Sequence, residues 1–281
     1  MHDKGIIITG TSGYLGSSFI KKFNKDNVFK CTRNTFNTSK PKFFDLYNRE
    51  VNNLSKACNS FTILHLATYF SKDPEDKNKI KSANLDFGKK LLDYSKNLNI
   101  EKIIYTNSMF NFYEDPKVRK LYYTSSKMEF SYILNQYCNE NKIYLDEIYL
   151  DNTFGGVDLR KKVLPSIVQN IINFEDSPVI NKKNTINLIY FKDVLNRFDK
   201  SINSNFSGST SFINKQSVNL ETIFNFLKLY RDTKTLDKSI LKYSKNNYLI
   251  SSPKNNHMKL KLSNLENKLI EYLNYYLNHK I

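Results

Sequence analysis

The chain has 281 residues, of which 40% are hydrophobic and 14% aromatic, enough to bury a core and to exclude a disordered chain. Its formal net charge of +16 comes mostly from lysine spread from end to end, with arginine confined to Arg33, Arg49, Arg119, Arg160, Arg197 and Arg231. Without arginine clustered among aromatics, that charge reads as composition rather than as a nucleic-acid surface, although it would attract a substrate carrying a pyrophosphate. No run approaches the roughly 20 apolar residues of a membrane span, and the apolar patch Gly5 to Gly10 is too short for a signal peptide. A soluble cytoplasmic protein with neither membrane nor nucleic-acid partner is therefore expected. Cys31, Cys58 and Cys138 are widely spaced and the four histidines are scattered, so neither a disulfide framework nor a metal site is expected.

In chain order, Gly5 to Thr9 reads as a buried strand, Tyr14 to Asn24 as a helix and Val28 to Thr32 as a second strand. Phe43 and Phe44 make a short edge, Val51 to Cys58 a helix, and Thr62 to Ala67 a strand apolar on both faces. Ile80 to Leu98 has helical spacing, Lys102 to Thr106 is a strand, Tyr122 to Glu140 a long helix and Ile143 to Tyr149 a strand. Right-handed crossovers turn this alternation into an α/β fold, a doubly wound parallel Rossmann sheet. After Gly156 the rhythm changes to helices at Leu164 to Asn173, Leu220 to Tyr230 and Leu262 to Leu277, with short strands at Thr185 to Tyr190 and Ser211 to Ile213. The expected division is a dinucleotide-binding domain over 1–155 and a smaller mixed α/β substrate domain over 156–281, with the segment near 186–200 returning to the first.

The run Thr9-Gly10-Thr11-Ser12-Gly13-Tyr14-Leu15-Gly16 follows an apolar strand and opens a helix. Gly10 permits the tight turn, Gly13 a close approach to a pyrophosphate, and Gly16 the packing of helix on strand. A dinucleotide site is expected there, with Ser12, Tyr14 and Leu15 also against the cofactor. At the end of the second strand an NAD site would present a carboxylate to the ribose, but this chain has Cys31-Thr32-Arg33-Asn34. Arg33 could hold a ribose 2′-phosphate, which favours NADP (as NADPH) over NAD.

Tyr123 and Lys127 stand four residues apart on a predicted helix, so phenol and ammonium share a face. A cation beside a phenol lowers the phenol's pKa, as proton transfer near neutral pH requires. Ser108 lies just past a strand, at the edge where such sheets place their ligands.

With these motifs in place, the chain resembles the extended short-chain dehydrogenases/reductases of the NAD-dependent epimerase/dehydratase group over essentially its whole length. Gly10, Gly13 and Gly16 match that family's glycine turn, and Asp45-Leu46 its adenine-holding Asp-Leu pair. Leu64-His65-Leu66-Ala67-Thr68 matches its His-x-Ala-Ala strand end, and Asn84 the asparagine that opens the next helix. Ser108, Tyr123 and Lys127 match its catalytic set. Asp151-Asn152-Thr153-Phe154-Gly155-Gly156 and Tyr190-Phe191-Lys192-Asp193-Val194 resemble two later segments. The resemblance implies cofactor contacts from Leu66, Ala67, Thr68, Asn84, Tyr123 and Lys127. The stretch from Leu150 to Lys162 looks like a branch of sugar-nucleotide 4-ketoreductases of the abequose or paratose synthase type.

Departures narrow what is implied. Met109-Phe110 follows Ser108 where dehydratases carry Asp-Glu, which argues against elimination of water. The stretch from Ser108 to Tyr123 is short for the family and lacks its Tyr-Gly. His65 is expected to be structural rather than a general base. Phe110 and Asn152 are candidate substrate contacts, and Arg160, with Lys161 and Lys162, a candidate for the substrate's phosphates. The implied reaction is NADPH-dependent reduction of a 4-keto-6-deoxy sugar nucleotide to its 4-hydroxy product, in surface-polysaccharide sugar biosynthesis. The alternatives are an NAD-dependent 4-epimerase and a non-catalytic dinucleotide-sensing protein. A homodimer is expected, its apolar face drawn from Leu85, Leu91, Leu92, Phe130, Ile133, Leu134 and Tyr137.

Overall fold

The computed structural model describes residues 2–22, 27–37, 41–158, 160, 162–176, 184–245 and 262–279. The chain divides into two compact units. The first holds the described residues up to Tyr149 together with Leu195–Ser211; the second holds the rest of the described chain from Leu150 onward.

In the first unit β1 (His2–Thr9) leads through the glycine turn into α1 (Tyr14–Lys22). Ile6, Ile7 and Ile8 are all buried, so both faces of the strand are covered, as the middle of a doubly wound sheet requires. β2 (Val28–Cys31) follows, then the short β3 (Phe43–Phe44) and β4 (Glu50–Val51). The helix predicted over Val51 to Cys58 is absent: Leu54–Lys56 makes a single 3-10 turn and Cys58 already starts β5 (Cys58–His65). Asn52 and Asn53 favour a turn over a helical start, and burial of Leu54 anchors that turn.

The helix predicted from Ile80 to Leu98 is interrupted. It comprises α2 (Lys77–Lys81), a π-helical turn (Ser82–Asp86) and α3 (Phe87–Ser95). The wide turn lets the buried amide of Asn84 reach partners off the helix. β6 (Ile100–Ser108) is longer than predicted and takes in Ser108. A 3-10 turn (Met109–Phe112) and α4 (Pro116–Arg119) lead to α5 (Tyr122–Glu140), which spans its predicted residues, and β7 (Tyr144–Leu150) closes this stretch.

The later chain supplies β8 (Asn152–Phe154), α6 (Val163–Ile172), β9 (Thr185–Ile186) and β10 (Leu188–Tyr190). Next come α7 (Phe191–Ile202) and β11 (Gly208–Phe212), then β12 (Gln216–Asn219), α8 (Leu220–Thr233), β13 (Tyr243–Lys245) and α9 (Leu265–His279). β8 and β10 pair in parallel; β12 pairs antiparallel with β9 and β13.

The main sheet runs β11–β7–β6–β5–β1–β2–β3–β4. β1 is parallel to β2 and β5, with Ile7 beside Phe29 and Ile63, and β5 is parallel to β6, with Ile63 beside Ile103. Only the short edge from β2 through β3 to β4 is antiparallel among the registered pairs. The result is a mostly parallel, Rossmann-like α/β sheet with a smaller mixed unit.

Leu85, Leu91, Leu92, Phe130 and Leu134 are buried in the core of the first unit, and Ile133 and Tyr137 pack half-buried against it. The apolar surface assigned from sequence to a partner is therefore spent inside the protomer. The exposed side of α5 carries Met128 and Tyr132 instead.

β7 places consecutive acids on opposite faces of the sheet, as the strand period dictates. Asp146, fully buried, accepts from Arg197 Nη2 at 2.7 Å and from the Ser201 hydroxyl. Lys102 Nζ donates to the Ser201 and Ser204 carbonyls at 2.8 Å each, so one polar cluster pins the end of α7. Burial lowers the Lys102 pKa to about 8, with the Asp146 charge opposing the shift.

Candidate active site

Because β1, β5 and β6 run parallel, their carboxyl ends share one edge of the sheet. The glycine turn, Leu66 to Thr68 and Ser108 meet there. Gly10 has φ +68°, and a Cβ on it would stand 2.7 Å from the Ala67 nitrogen; a Cβ on Gly16 would stand 2.2 Å from the Gly10 carbonyl oxygen. Glycine is thus required at both positions. Around a Cβ on Gly13, only the Gly10 oxygen lies within 4 Å among the described residues. The space over the turn is open, Ser12 and Gly13 are exposed, Tyr14 and Leu15 are half-buried, and α1 begins at Tyr14. An open glycine turn under a helix N-terminus fits a pyrophosphate, so these residues suit a dinucleotide.

Thr9 locks that edge. Its Oγ1 accepts from the Leu66 and Ala67 amides at 3.1 and 3.0 Å and pairs with His65 Nδ1 at 2.9 Å. With two donors already on the oxygen, the threonine's hydrogen goes to Nδ1, so His65 is neutral with its proton on Nε2. Burial, and then the Lys127 charge, hold the imidazole down to about 3. His65 stacks between Tyr105 and Phe87, with ring centroids 5.6 and 6.1 Å away. It is a packed structural ring.

The other residues expected near the cofactor fall into distinct settings. Arg33 is exposed just beyond β2. Asp45 is buried and closes its own turn: Oδ1 accepts from the Tyr47 and Arg49 amides at 2.8 and 2.9 Å, and Oδ2 from the Arg49 guanidinium. Burial pushes its pKa up, but the Arg49 hydrogen bonds and charge and the Tyr47 amide outweigh that and hold it below the usual carboxylate range. Leu46 beside it is half-buried. Asn84 accepts from Thr68 Oγ1 at 3.1 Å and from the Tyr69 amide at 2.8 Å, and donates to Ser126 Oγ at 3.0 Å. It therefore ties the loop after β5 to α5.

Ser108 is buried at the end of β6, where its Oγ accepts from the Phe110 amide at 3.2 Å. Tyr123 and Lys127 lie one helical turn apart on α5, as their spacing predicts. Burial pushes the Tyr123 phenol above its ordinary value, against hydrogen bonds with Ser108 and Thr68 that pull it down. Lys127 is buried, its ammonium 4.4 Å from the centre of the Tyr105 ring. Burial brings Lys127 down to about 7, while the charge of Glu147 on β7 opposes the fall. The sequence argument had Lys127 lowering the tyrosine's pKa; here the hydroxyls of Ser108 and Thr68 act in that direction. Around Tyr123 the rings of Phe70 and Phe110 stand edge-on, at 4.9 and 6.2 Å, and Tyr113 packs on Phe110 at 5.0 Å.

Sequence reasoning passed over Phe70, Asn107, Ser131 and Glu147. Asn107 Nδ2 and Ser131 Oγ both donate to Glu147 Oε1, the first at 2.9 Å, and the Tyr149 hydroxyl donates to Oε2 at 3.1 Å. The signal available for Glu147 was a pair of consecutive carboxylates, Asp146 and Glu147, inside an otherwise largely apolar strand.

Asn152 and Arg160 belong to the second unit. Asn152 donates through its amide groups to Asp151 Oδ1 at 2.9 and 2.7 Å. Arg160 grips both oxygens of Asp158 at 2.6 Å and donates to the Thr153 carbonyl at 2.8 Å. Its guanidinium is thus oriented by its own neighbours. Burial and the Arg160 charge lower Lys162 to about 8, against Asp158 and Asp151. Lys161 lies outside the described residues.

A model of the NAD dependent epimerase/dehydratase family matches residues 6–213. The chain is similar to a CDP-abequose synthase of Salmonella muenchen, 21% identical over 80% of each chain. It is also similar to a CDP-abequose synthase of Yersinia pseudotuberculosis, 26% identical over 68% of this chain and 70% of the relative. Among solved structures it resembles the Bordetella bronchiseptica enzyme WbmF in complex with NAD+ and UDP, with TM-score 0.75 and 15% identity over 99% of this chain and 94% of that one. It resembles likewise a UDP-N-acetylglucosamine 4-epimerase from Methanobrevibacter ruminantium M1, with TM-score 0.71 and 19% identity over 99% of both chains. A family match over most of the chain, on a Rossmann-like sheet with the glycine turn and Ser108, Tyr123 and Lys127 in place, settles the assignment: the chain belongs to the NAD-dependent epimerase/dehydratase family.

Proposed function

We propose that this enzyme reduces the 4-keto group of a 6-deoxy sugar nucleotide with NADPH, forming a 4-hydroxy sugar for surface-polysaccharide synthesis. The observation that carries this reading is the placing of Tyr123 one helical turn before Lys127, hydrogen-bonded to Ser108 and ringed by Phe70 and Phe110, where burial raises the phenol and favours its proton-donor form. Reduction of a carbonyl needs a donor at that point; oxidation of an alcohol, the opening step of a 4-epimerase, needs a base. A dinucleotide held over the glycine turn of residues 10–16 would supply the hydride that the carbonyl carbon takes up. Tyr123 gives its proton to the carbonyl oxygen, so a C–H and an O–H bond form as the C=O π bond is lost. Ser108, whose Oγ already accepts from Phe110, keeps its own hydrogen to steady the phenol or the carbonyl oxygen. Lys127 as ammonium favours the phenolate left behind.

Met109-Phe110 after Ser108 offers no acid–base pair for eliminating water, which supports simple reduction. The names of the abequose synthases it resembles support a CDP-linked or related substrate in polysaccharide sugar synthesis. Arg33, exposed beyond β2 with no carboxylate in Thr32-Arg33-Asn34, supports NADPH. Asn152 and Arg160 are proposed as substrate contacts, the latter toward the phosphates, with Phe110 near the sugar. Asp45 would serve the adenine through the turn it closes, and Leu46, Leu66, Ala67 and Thr68 would line the cofactor, with Asn84 holding their loop. A homodimer is proposed as well, and gel filtration at monomer mass would count against it.

The test is a panel of 4-keto-6-deoxy sugar nucleotides followed by NADPH absorbance. Consumption of one NADPH per hydroxyl formed is expected. Tightly held dinucleotide with interconversion of 4-hydroxy epimers and no net NADPH use would instead establish the epimerase.

A further inference from the structure

Glu147 is a buried carboxylate that the proposed reaction does not use. Its carboxyl group is held by three side chains, one amide and two hydroxyls. These stand on distinct elements: Asn107 on β6, Ser131 on α5 and Tyr149 on β7 itself. Asp146, its neighbour on β7, has Arg197 as an ion-pair partner, whereas Glu147 has hydrogen bonds alone among the described residues, and a buried carboxylate without an ion pair is costly. A carboxylate kept under those conditions needs an account beyond packing.

Its two links reach the proposed catalytic set from opposite sides. Asn107 directs its Nδ2 to Glu147, which turns its Oδ1 toward the Ser108 amide at 2.8 Å and toward Asn111 Nδ2 at 3.4 Å. A flipped amide would set oxygen against carboxylate, so Glu147 fixes the backbone that presents Ser108. On the other side Ser131 lies one helical turn beyond Lys127, which itself lies one turn beyond Tyr123. The carboxylate thus joins the strand of Ser108 to the Tyr123–Lys127–Ser131 stripe of α5.

We propose that Glu147 is a positioning residue of this site, tying β6 to α5 through Asn107 and Ser131 and setting its carboxylate against the helix stripe that carries Lys127. This rests on Ser108, Tyr123 and Lys127 being the catalytic set. The titratable groups that bear on Lys127 are Tyr123 one turn back on its own helix, Tyr105 on β6, His65 on β5 and Glu147 on β7, while Cys138 and Tyr149 bear on Glu147. His65 is neutral, and burial pushes Tyr105, Tyr149 and Cys138 up, which leaves them uncharged near neutral pH. Burial draws Lys127 down to about 7, and Glu147 opposes that fall.

Glu147→Gln keeps the shape and the Oε1 acceptor but removes the charge. Lys127 can be followed by NMR of lysine-labelled protein, its signal assigned by loss in Lys127→Met. In Glu147→Gln its titration is expected to move down by about one pH unit or more, tenfold in the proton equilibrium. With the preferred 4-keto sugar nucleotide, the alkaline limb of kcat/KM should move down equally, so that the loss is roughly tenfold at pH 8 and small at pH 6. Asn107→Ala removes the tie to Ser108 and leaves the charge: kcat should fall by a similar factor at every pH with Lys127 titrating as in wild type. An unmoved Lys127 titration in Glu147→Gln, a loss in that variant independent of pH, or unchanged kcat in Asn107→Ala would each overturn the proposal. The NMR titration needs no substrate. A shifted Lys127 in a protein that reduces none of the sugar nucleotides would sink the functional reading and leave Glu147 in its role.

Discussion

At the scale of single residues, the site turns on which groups hold protons. Burial raises the Tyr123 phenol, against hydrogen bonds from Ser108 and Thr68, and brings Lys127 down to about 7. Tyr123→Phe removes the donor without disturbing the edge-on packing of Phe70 and Phe110. Turnover should fall by about 10²–10⁴-fold while NADPH still binds, as checked by fluorescence titration. Wild-type turnover in that variant would exclude the assigned role. Arg33→Ala should weaken NADPH binding by roughly tenfold, the scale of a charge-assisted hydrogen bond, and leave NADH binding unchanged. Equal losses for both would remove the case for a 2′-phosphate contact. Ser108, Tyr123 and Lys127 were legible because their spacing is fixed by one strand end and one helical turn. Glu147, Asn107 and Ser131 were not, because their meeting depends on which strand neighbours β6, a fact no local pattern carries.

At the scale of elements, the sequence predicted most strands and α5 closely, since buried apolar runs and helical spacing are local. It failed over Val51 to Cys58, where apolar spacing overrode the turn preference of Asn52 and Asn53, and over Ile80 to Leu98, where a π-helical turn serves Asn84. The short strands β8, β12 and β13 were missed because three or four residues leave no readable period. β7 shows how one element serves both faces, with Asp146 toward α7 and Glu147 toward α5. Asp146 offsets Arg197 and Lys102, and two nitrogens of Arg197, Nε and Nη1, are already without a partner among the described residues. Asp146→Ala should therefore destabilise the protein by about 3–5 kcal/mol in urea unfolding, the cost of stranding a buried charge. A change within about 0.5 kcal/mol, the ordinary surface range, would show that the cluster is solvated.

For the whole molecule, buried neutral groups set how stability depends on pH. His65 has a folded pKa of about 3. The unfolded chain carries it near its ordinary value, about 6.5, so the unfolded state binds the extra proton between those values. That contribution is present above pH ~6.5 and is lost as pH falls toward 3, by about 1.4 kcal/mol per unit. Urea unfolding at pH 5 should show about 2 kcal/mol less stability from this group than at pH 7, and His65→Gln should flatten the slope. An equally steep slope in that variant would assign the acid sensitivity elsewhere. The mostly parallel sheet was readable from strand–helix alternation and the family from its ordered motifs. The identity of the proposed sugar was not readable, since the shape of a pocket depends on side-chain placement that no local pattern carries. The proposed reaction makes its sharpest claim about the fate of one hydride. With NADPH deuterated at the transferred position and a 4-keto-6-deoxy sugar nucleotide, mass spectrometry and NMR should find one deuterium on the product's C4 for each NADPH oxidised. Product without deuterium, or epimers interconverted with no NADPH oxidised, would contradict it.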